Sequence, residues 1–180
     1  MGLACLWWLI LLAAFAAYLD TGLSGFFKQK RIGENGKLIS VFKIRSMRNI
    51  SGIVTTVTTD KDPRISFIGR FLRKTKIDEL PQLWNVLRGT MSLVGPRPDV
   101  PGFADALEGE DRIILTVRPG ITGLASLFFH NEEELLAKEE NPEEYSRKVI
   151  WPEKVRLNKS YIQNYSFWLD LKLIWKTVVH

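Results

Sequence analysis

Cysteine and histidine are nearly missing from this chain. Cys5 is the only cysteine among 180 residues, so an intrachain disulfide and a multi-cysteine metal site are both excluded. A reducing compartment is permitted by that count and not demanded by it. His130 and His180 are the only histidines, which argues against zinc chemistry and against a His-based triad. Any acid, base or nucleophile must therefore come mainly from carboxylates. Internal repeats and low-complexity tracts are also missing, and the length holds one ordinary domain with at most an appendage.

What the chain does have is a basic balance. Lys and Arg number 25 against 20 Asp and Glu, a net charge of +5. Such a charge suits a phosphate-rich partner: an anionic membrane surface, a nucleotide or a nucleic acid. Six Trp are present, and Trp favours membrane–water interfaces as well as cores.

Residues Leu3 to Leu19 (LACLWWLILLAAFAAYL) carry no charge and are almost wholly apolar. As a helix the run would span roughly 26 Å, against about 30 Å for a bilayer core. That is marginal for crossing and ample for embedding. Ala14-Phe15-Ala16 resembles a signal-peptide cleavage site, but the basic n-region is missing and the apolar run continues past it. Met1-Gly2 invites N-myristoylation, yet Leu6 stands where Ser or Thr is required. Lys28, Lys30 and Arg31 follow the segment and put that side in the cytoplasm under the positive-inside rule. The alternative is a buried core helix, which needs more core than a chain of this length supplies.

Asn35-Gly36 between β-prone runs predicts a hairpin. Ile50 to Thr59 reads as a mobile loop or a short strand pair, and Ile65 to Lys74 has helical spacing with Ile68, Phe71 and Leu72 apolar. Asp78 to Arg88 (DELPQLWNVLR) predicts a helix with Asp78 as its N-cap, Pro81 in the first turn and Gly89 closing it. Further helices are expected near Phe103 to Leu115, across the acidic Asn131 to Tyr145, and from Pro152 to about Tyr165. In Ser166 to Val178, Phe167, Leu171, Ile174, Trp175 and Val178 share one helical face. That face fits an interfacial helix on lipid and equally an amphipathic helix packed on the core.

Asp78-Glu79 has a plain explanation, a cap followed by a first-turn acid that favours the helix dipole. Its surroundings supply another. Arg70, Arg73, Lys74 and Lys76 precede the pair, and Arg88, Arg97 and Arg118 follow. Two carboxylates amid such cations are poised to hold a divalent metal together with a phosphate-bearing ligand. Mg²⁺ binds through one or two carboxylates plus substrate phosphates, and a carboxylate can itself attack phosphorus. Backbone N–H groups at a helix start would add anion stabilisation. Pro96-Arg97-Pro98 holds Arg97 on a stiffened backbone, so its guanidinium can fork onto phosphate oxygens or simply sit on a surface loop. Arg118-Pro119-Gly120 reads as a turn with Gly120 at positive φ, leaving Arg118 either a phosphate ligand or a solvated turn residue.

Five stretches in order, FFKQKRIGENGK, VFKIRSM, FLRKTKIDELPQLWNVLRGTMSLVGPRP, RPGITGLAS and SFWLDLKLIWKT, resemble the bacterial sugar transferases called monotopic phosphoglycosyl transferases. The resemblance runs from about Phe26 to the C-terminus. It implies an α-rich α+β fold with a membrane-embedded, re-entrant N-terminal helix over residues 1–20. A catalytic domain over residues 21–180 would hold a small β-hairpin, several helices and amphipathic interfacial helices. It implies that Asp78 attacks the β-phosphate of a UDP-sugar and expels UMP, and that undecaprenyl phosphate then takes the phospho-sugar from Asp78. Mg²⁺ is implied as cofactor, with Asp78 and Glu79 as the metal-binding pair, and Arg73 and Arg97 as phosphate or nucleotide ligands. Arg118 matches a family arginine of less definite role. The implied partners are the UDP-sugar, undecaprenyl phosphate and membrane lipid, with no nucleic acid; the implied location is the cytoplasmic face of the bacterial inner membrane. Two departures stand out. No basic residue precedes Leu3 and no proline occurs before Pro63, which leaves a re-entrant and a spanning helix both open. Leu124-Ala125-Ser126-Leu127 and the acidic run replace a Gln-Val-Asn-Gly pattern, so no sugar is carried over. A membrane adaptor without catalysis would share the apolar segment and the charge but leave the Asp-Glu and Pro-Arg-Pro motifs without a purpose.

Overall fold

The computed structural model describes residues 2–53, 55 and 57–179, with side chains from residue 5 in the first helix. The Met1 end considered for acylation lies outside the described residues, as do Val54 and Thr56 of the Ile50 to Thr59 run. The chain is mostly helical, with two small sheets.

Helix α1 (Gly2–Thr21) has two unlike sides. Ala13 and Ala17 pack with Ile44 and Leu72, and Ile10 and Ala14 are buried as well. The small alanine side chains let the rest of the domain come close. Gly25 follows the same logic, since a Cβ there would lie 1.8 Å from the Ala14 carbonyl oxygen. On the other side Trp7, Trp8, Leu11, Leu12, Phe15, Tyr18 and Leu19 are exposed. Among the described residues no helix is long and apolar enough to cross a membrane.

The predicted hairpin is present. Strands β1 (Phe26–Ile32) and β2 (Leu38–Ile44) pair antiparallel, Phe26 opposite Ile44 and Ile32 opposite Leu38. Asn35 and Gly36 turn the chain at φ 58° and 73°, the left-handed region these two residue types tolerate best. Helix α2 (Phe67–Lys74) is capped by Ser66, whose hydroxyl accepts from the Gly69 N–H at 3.0 Å. Leu72 is buried and Ile68 partly so, while Phe71 stays exposed. Asp20 clamps the ends of α1 and α2 together, accepting from the Ile68 N–H at 2.7 Å and from Arg48 at 2.8 Å.

The Asp78 to Arg88 helix is shorter than predicted. A 3₁₀ turn covers Ile77–Glu79, and helix α3 (Gln82–Leu87) begins only after Pro81, closed by Gly89 at φ 71°. Asp78 is therefore not the N-cap. A cap at 78 would bond the N–H of residue 80 or 81; Pro81 has none, and the Leu80 N–H already donates to the Ile77 carbonyl at 3.2 Å.

A second sheet joins β3 (Ser92–Val94) to β4 (Gly120–Thr122) in parallel. Gly120 is needed for a reason other than the predicted positive φ: a Cβ there would sit 2.2 Å from the Gly95 nitrogen. The region Phe103 to Leu115 forms two 3₁₀ pieces, Ala104–Ala106 and Gly109–Leu115, rather than one helix. Gly109 at φ 55° separates them. The acidic Asn131 to Tyr145 region also splits. After α4 (Leu124–Phe128) come α5 (Glu132–Leu136) and α6 (Pro142–Tyr145), the latter restarted by Asn141, whose side chain accepts from the Glu144 N–H at 3.2 Å. A π turn over Ser146–Ile150 leads into α7 (Trp151–Gln163). The wide turn sits just before Pro152, whose missing N–H interrupts the i→i−4 ladder.

Helix α8 (Phe167–Val179) packs one side on the core, as one of its two expected roles requires, and leaves other apolar residues exposed. Leu173 is buried with Val94 and Tyr161, and Leu169 and Ile174 pack on that cluster. Phe167, Trp168, Leu171, Trp175 and Val178 are exposed, so Ile174 leaves the face predicted for it.

Candidate active site

The Asp78-Glu79 turn is held from three directions. Ahead of it, Lys76 adopts φ 57°, a left-handed kink that ends the α2 segment and redirects the chain. Ile77 then packs on the Ala13, Ala17, Ile44 and Leu72 cluster, fixing the turn to α1. Behind it, Asn85 of α3 accepts from the Phe42 N–H at 3.1 Å and donates to the Ser40 carbonyl at 2.7 Å. That pair of bonds lays α3 along β2, the strand that carries Lys43.

Both carboxylates are buried, Asp78 to 5% and Glu79 to 8% of full exposure. They are treated very differently. Glu79 receives Arg97 as a fork, Nη1 to Oε2 at 3.1 Å and Nη2 to Oε1, and also Lys43 Nζ at 3.2 Å. Burial works against its charge, but Arg97 and then Lys43 outweigh it and hold the Glu79 carboxyl well below the usual range. Asp78 is left with the opposite balance. Burial and the neighbouring Glu79 charge raise its carboxyl from the ordinary 3.8 to about 6, with Lys43, Arg73 and Lys76 pulling the other way. Its Oδ1 has no hydrogen-bond partner among the described residues. Two adjacent acids with their pKa values driven apart mark a division of chemical roles.

Arg97 owes its place to the loop that follows β3. The Pro96 carbonyl accepts from the Gly120 N–H at 2.8 Å, and the Asp99 carbonyl accepts from the Ile32 N–H at 2.8 Å, so the Pro-Arg-Pro stretch is strapped to both sheets. Arg31 joins from β1, its Nη1 reaching the Pro98 carbonyl at 3.4 Å. Burial lowers Arg31 to about 10 and raises Asp99 to about 6, so both charges are held under strain beside Arg97.

Arg73 lies within electrostatic reach of Asp78 but is occupied: its Nη2 pairs with Glu133 of α5, while its Nε is buried without a partner among the described residues. Glu132, next along α5, pairs with Lys154 of α7 at 2.7 Å. Arg118 stands apart. It is exposed, 3.8 Å from Glu34 of the hairpin turn, and is not among the principal charges acting on Asp78 or Glu79.

The structure thus gathers Asp78, Glu79, Arg73 and Arg97 and leaves Arg118 outside. It adds Lys43, Arg31, Asp99, Glu132, Glu133 and Lys154, none of which was singled out as a site residue from sequence. Lys43 did lie within the VFKIRSM stretch and Arg31 within FFKQKRIGENGK, the available signals. The backbone N–H groups expected to stabilise an anion at a helix start are spent within the turn: Glu79 donates to Lys76 and Leu80 to Ile77. Among the described residues no group of three or more His, Cys, Asp or Glu side chains forms a metal cage.

Comparison with known proteins identifies the family. The family model described as bacterial sugar transferase matches residues 1–180. The undecaprenyl-phosphate glucose phosphotransferase of Komagataeibacter xylinus is 39% identical over 178 residues, covering 94% of this chain and 31% of that protein. The UDP-glucose:undecaprenyl-phosphate glucose-1-phosphate transferase of Escherichia coli (strain K12) is 37% identical over 171 residues, covering 92% of this chain and 34% of that protein. The chain thus spans about a third of the length of these two relatives. It spans 84% of the exopolysaccharide production protein PSS of Rhizobium leguminosarum bv. phaseoli, at 37% identity over 180 residues. The chain belongs to the bacterial sugar transferase family.

Proposed function

We propose that this protein transfers a sugar-1-phosphate from a UDP-sugar to undecaprenyl phosphate, with Asp78 as the covalent nucleophile. The observation that carries the reading is the state of Asp78: a buried carboxylate oxygen without a partner, beside a Glu79 whose charge is already matched by Arg97 and Lys43. A purely structural acid in that position would be paired.

In the first half-reaction an Asp78 carboxylate oxygen attacks the β-phosphorus of the donor. The bond from that phosphorus to the bridging oxygen breaks, and UMP departs with the electron pair. In the second, a phosphate oxygen of undecaprenyl phosphate attacks the same phosphorus. The bond to Asp78 breaks and the carboxylate is regenerated. Splitting the transfer in two is what a covalent nucleophile contributes. Glu79 stays ionised and paired, which keeps the Arg97 guanidinium fixed where donor phosphates would lie. Arg73 and Arg31 supply further cationic charge.

A Mg²⁺ ion fits the donor chemistry here. Asp78 offers a free hard oxygen, and Glu79 shares its carboxylate with Arg97 and Lys43, so the remaining ligands would be diphosphate oxygens and water. Bound there, the ion neutralises diphosphate charge that repels an incoming anion.

The test is a panel of UDP-sugars assayed for UMP release with undecaprenyl phosphate as acceptor. No UMP from any of them, with Mg²⁺ supplied, sinks the reading. Donor binding also has to contend with Glu133, which holds Arg73. Glu133→Gln is expected to lower the donor KM about two- to fivefold, the scale of one partly exposed ion pair; an unchanged or higher KM removes Arg73 from the donor site.

We further place the exposed apolar sides of α1 and α8 against the cytoplasmic face of the membrane, where the acceptor resides. What supports this is Trp7, Trp8, Phe15 and Leu19 on one helix and Phe167, Trp168, Trp175 and Val178 on the other, all open to solvent. Replacing Trp168 and Trp175 together by Ser should weaken binding to anionic phospholipid vesicles at least about tenfold. Undiminished vesicle binding would take α8 off the membrane.

A further inference from the structure

Four buried side-chain polar atoms lack a hydrogen-bond partner among the described residues: Arg73 Nε, Asp78 Oδ1, Gln82 Nε2 and Ser126 Oγ. Two of them, Asp78 and Gln82, are four residues apart in one helical run. Leu80 and Pro81 both have αR backbone between the 3₁₀ turn and α3, so positions 78 and 82 lie on the same side of it. Gln82 is 2% exposed. An amide N–H buried without a partner is costly, and burial this complete without a hydrogen bond is rare in a settled structure.

The backbone explains what such an amide is for. A pentacoordinate phosphorus bound to Asp78 carries negative charge on its equatorial oxygens, which needs hydrogen-bond donors fixed in advance. The usual source, free N–H groups at a helix start, is closed here: the Glu79 and Leu80 N–H groups are bonded within the turn and Pro81 has none. The Gln82 side chain, one turn on, is a neutral donor left without a partner among the described residues.

We propose that Gln82 is a catalytic residue, its Nε2 donating a hydrogen bond to a phosphoryl oxygen of the group transferred to and from Asp78. No proton changes hands; the amide stabilises charge only while phosphorus is in flight. This rests on the reading of Asp78 as nucleophile.

Gln82→Met keeps the length and bulk of the side chain and removes the donor. With UDP-glucose and UDP-galactose as probes, the variant should release UMP about 10²-fold more slowly in kcat, with donor KM within about twofold of the parent. Its melting temperature should be equal or higher, because an unsatisfied buried amide has been removed. A kcat within threefold of the parent overturns the proposal. So does a loss of kcat that comes with a lower melting temperature, since that marks a structural amide. Should Gln82→Met fail to fold, Gln82→Glu decides: it replaces the donor by an anion, and a folded variant with parental kcat at pH 8 is fatal to the idea. Asp78→Asn is run alongside. If Asp78→Asn is active, the nucleophile reading falls and this one with it; if it is dead while Gln82→Met is fully active, only the Gln82 role falls.

Discussion

Asp78→Asn is expected to abolish UMP release, by at least about 10⁴-fold, while raising the melting temperature. The gain in stability follows from burial. Asp78 is raised from 3.8 to about 6. Between those two pH values the folded chain keeps a proton that the unfolded chain has released, so stability falls as pH rises through that window. Above pH 6 the ionised folded state is disfavoured by up to about 3 kcal/mol, at about 1.36 kcal/mol per pH unit. Asparagine carries no such penalty, so the variant should melt roughly 5–10 °C higher at pH 7.5 and show little difference below pH 4. The parent's kcat/KM should drop tenfold per unit as pH falls below about 6, where Asp78 takes up its proton. Thermal melts and pH–rate profiles on the two proteins check both halves. An active Asp78→Asn, or one less stable than its parent at pH 7.5, would falsify this account of the site.

Arg97 carries the second large effect. Arg97→Ala leaves Glu79 buried with Lys43 as its remaining close cation. Removing one member of a buried pair costs 3–5 kcal/mol in general. Here the Arg97 side chain keeps 40% of its exposure, water softens the loss, and about 2 kcal/mol is expected. The pH dependence runs opposite to that of Asp78. The Glu79 pKa is depressed in the fold, so its contribution is complete above the unfolded value and is lost as pH falls through the folded one, below 4.5. Arg97→Ala should therefore lose most stability at pH 7.5, and its deficit relative to the parent should shrink as pH falls below 4.5. Arg97→Lys retains the charge but not the fork, and is expected to cost at least about 10²-fold in kcat/KM. Urea melts of parent and variant at pH 4 and pH 7.5, with donor kinetics at pH 7.5, measure these outcomes; an equal loss of stability at both pH values would show that Glu79 does not depend on Arg97.

Features governed by neighbours in sequence were readable from sequence. The hairpin follows from Asn35-Gly36, the end of α3 from Gly89, and Arg97 from two flanking prolines. Features set by chain crossings were not. Lys43 reaches Glu79 across 36 positions and Glu133 reaches Arg73 across 60, and no local pattern encodes either meeting. The helix start at Asp78 was misread because Asp followed by Glu satisfies the usual cap rule, and the rule assumes an N–H where Pro81 has none. The Phe103 to Leu115 helix was misread through apolar spacing that ignored Gly109. Arg118 lies exposed beside Glu34 rather than among the groups around Asp78, and the Gly120 of its motif packs closely on Gly95.

The left-handed backbone at Lys76 carries a consequence for how this site can vary. Glycine or asparagine would adopt φ 57° more easily than lysine, and β-branched residues hardly at all. Yet the Lys76 charge is one of those that draw Asp78 back towards ionisation. Backbone ease and electrostatics therefore demand different residues at one position. Sequence change at 76 thus trades the ease of the turn's backbone against the positive charge that favours ionised Asp78.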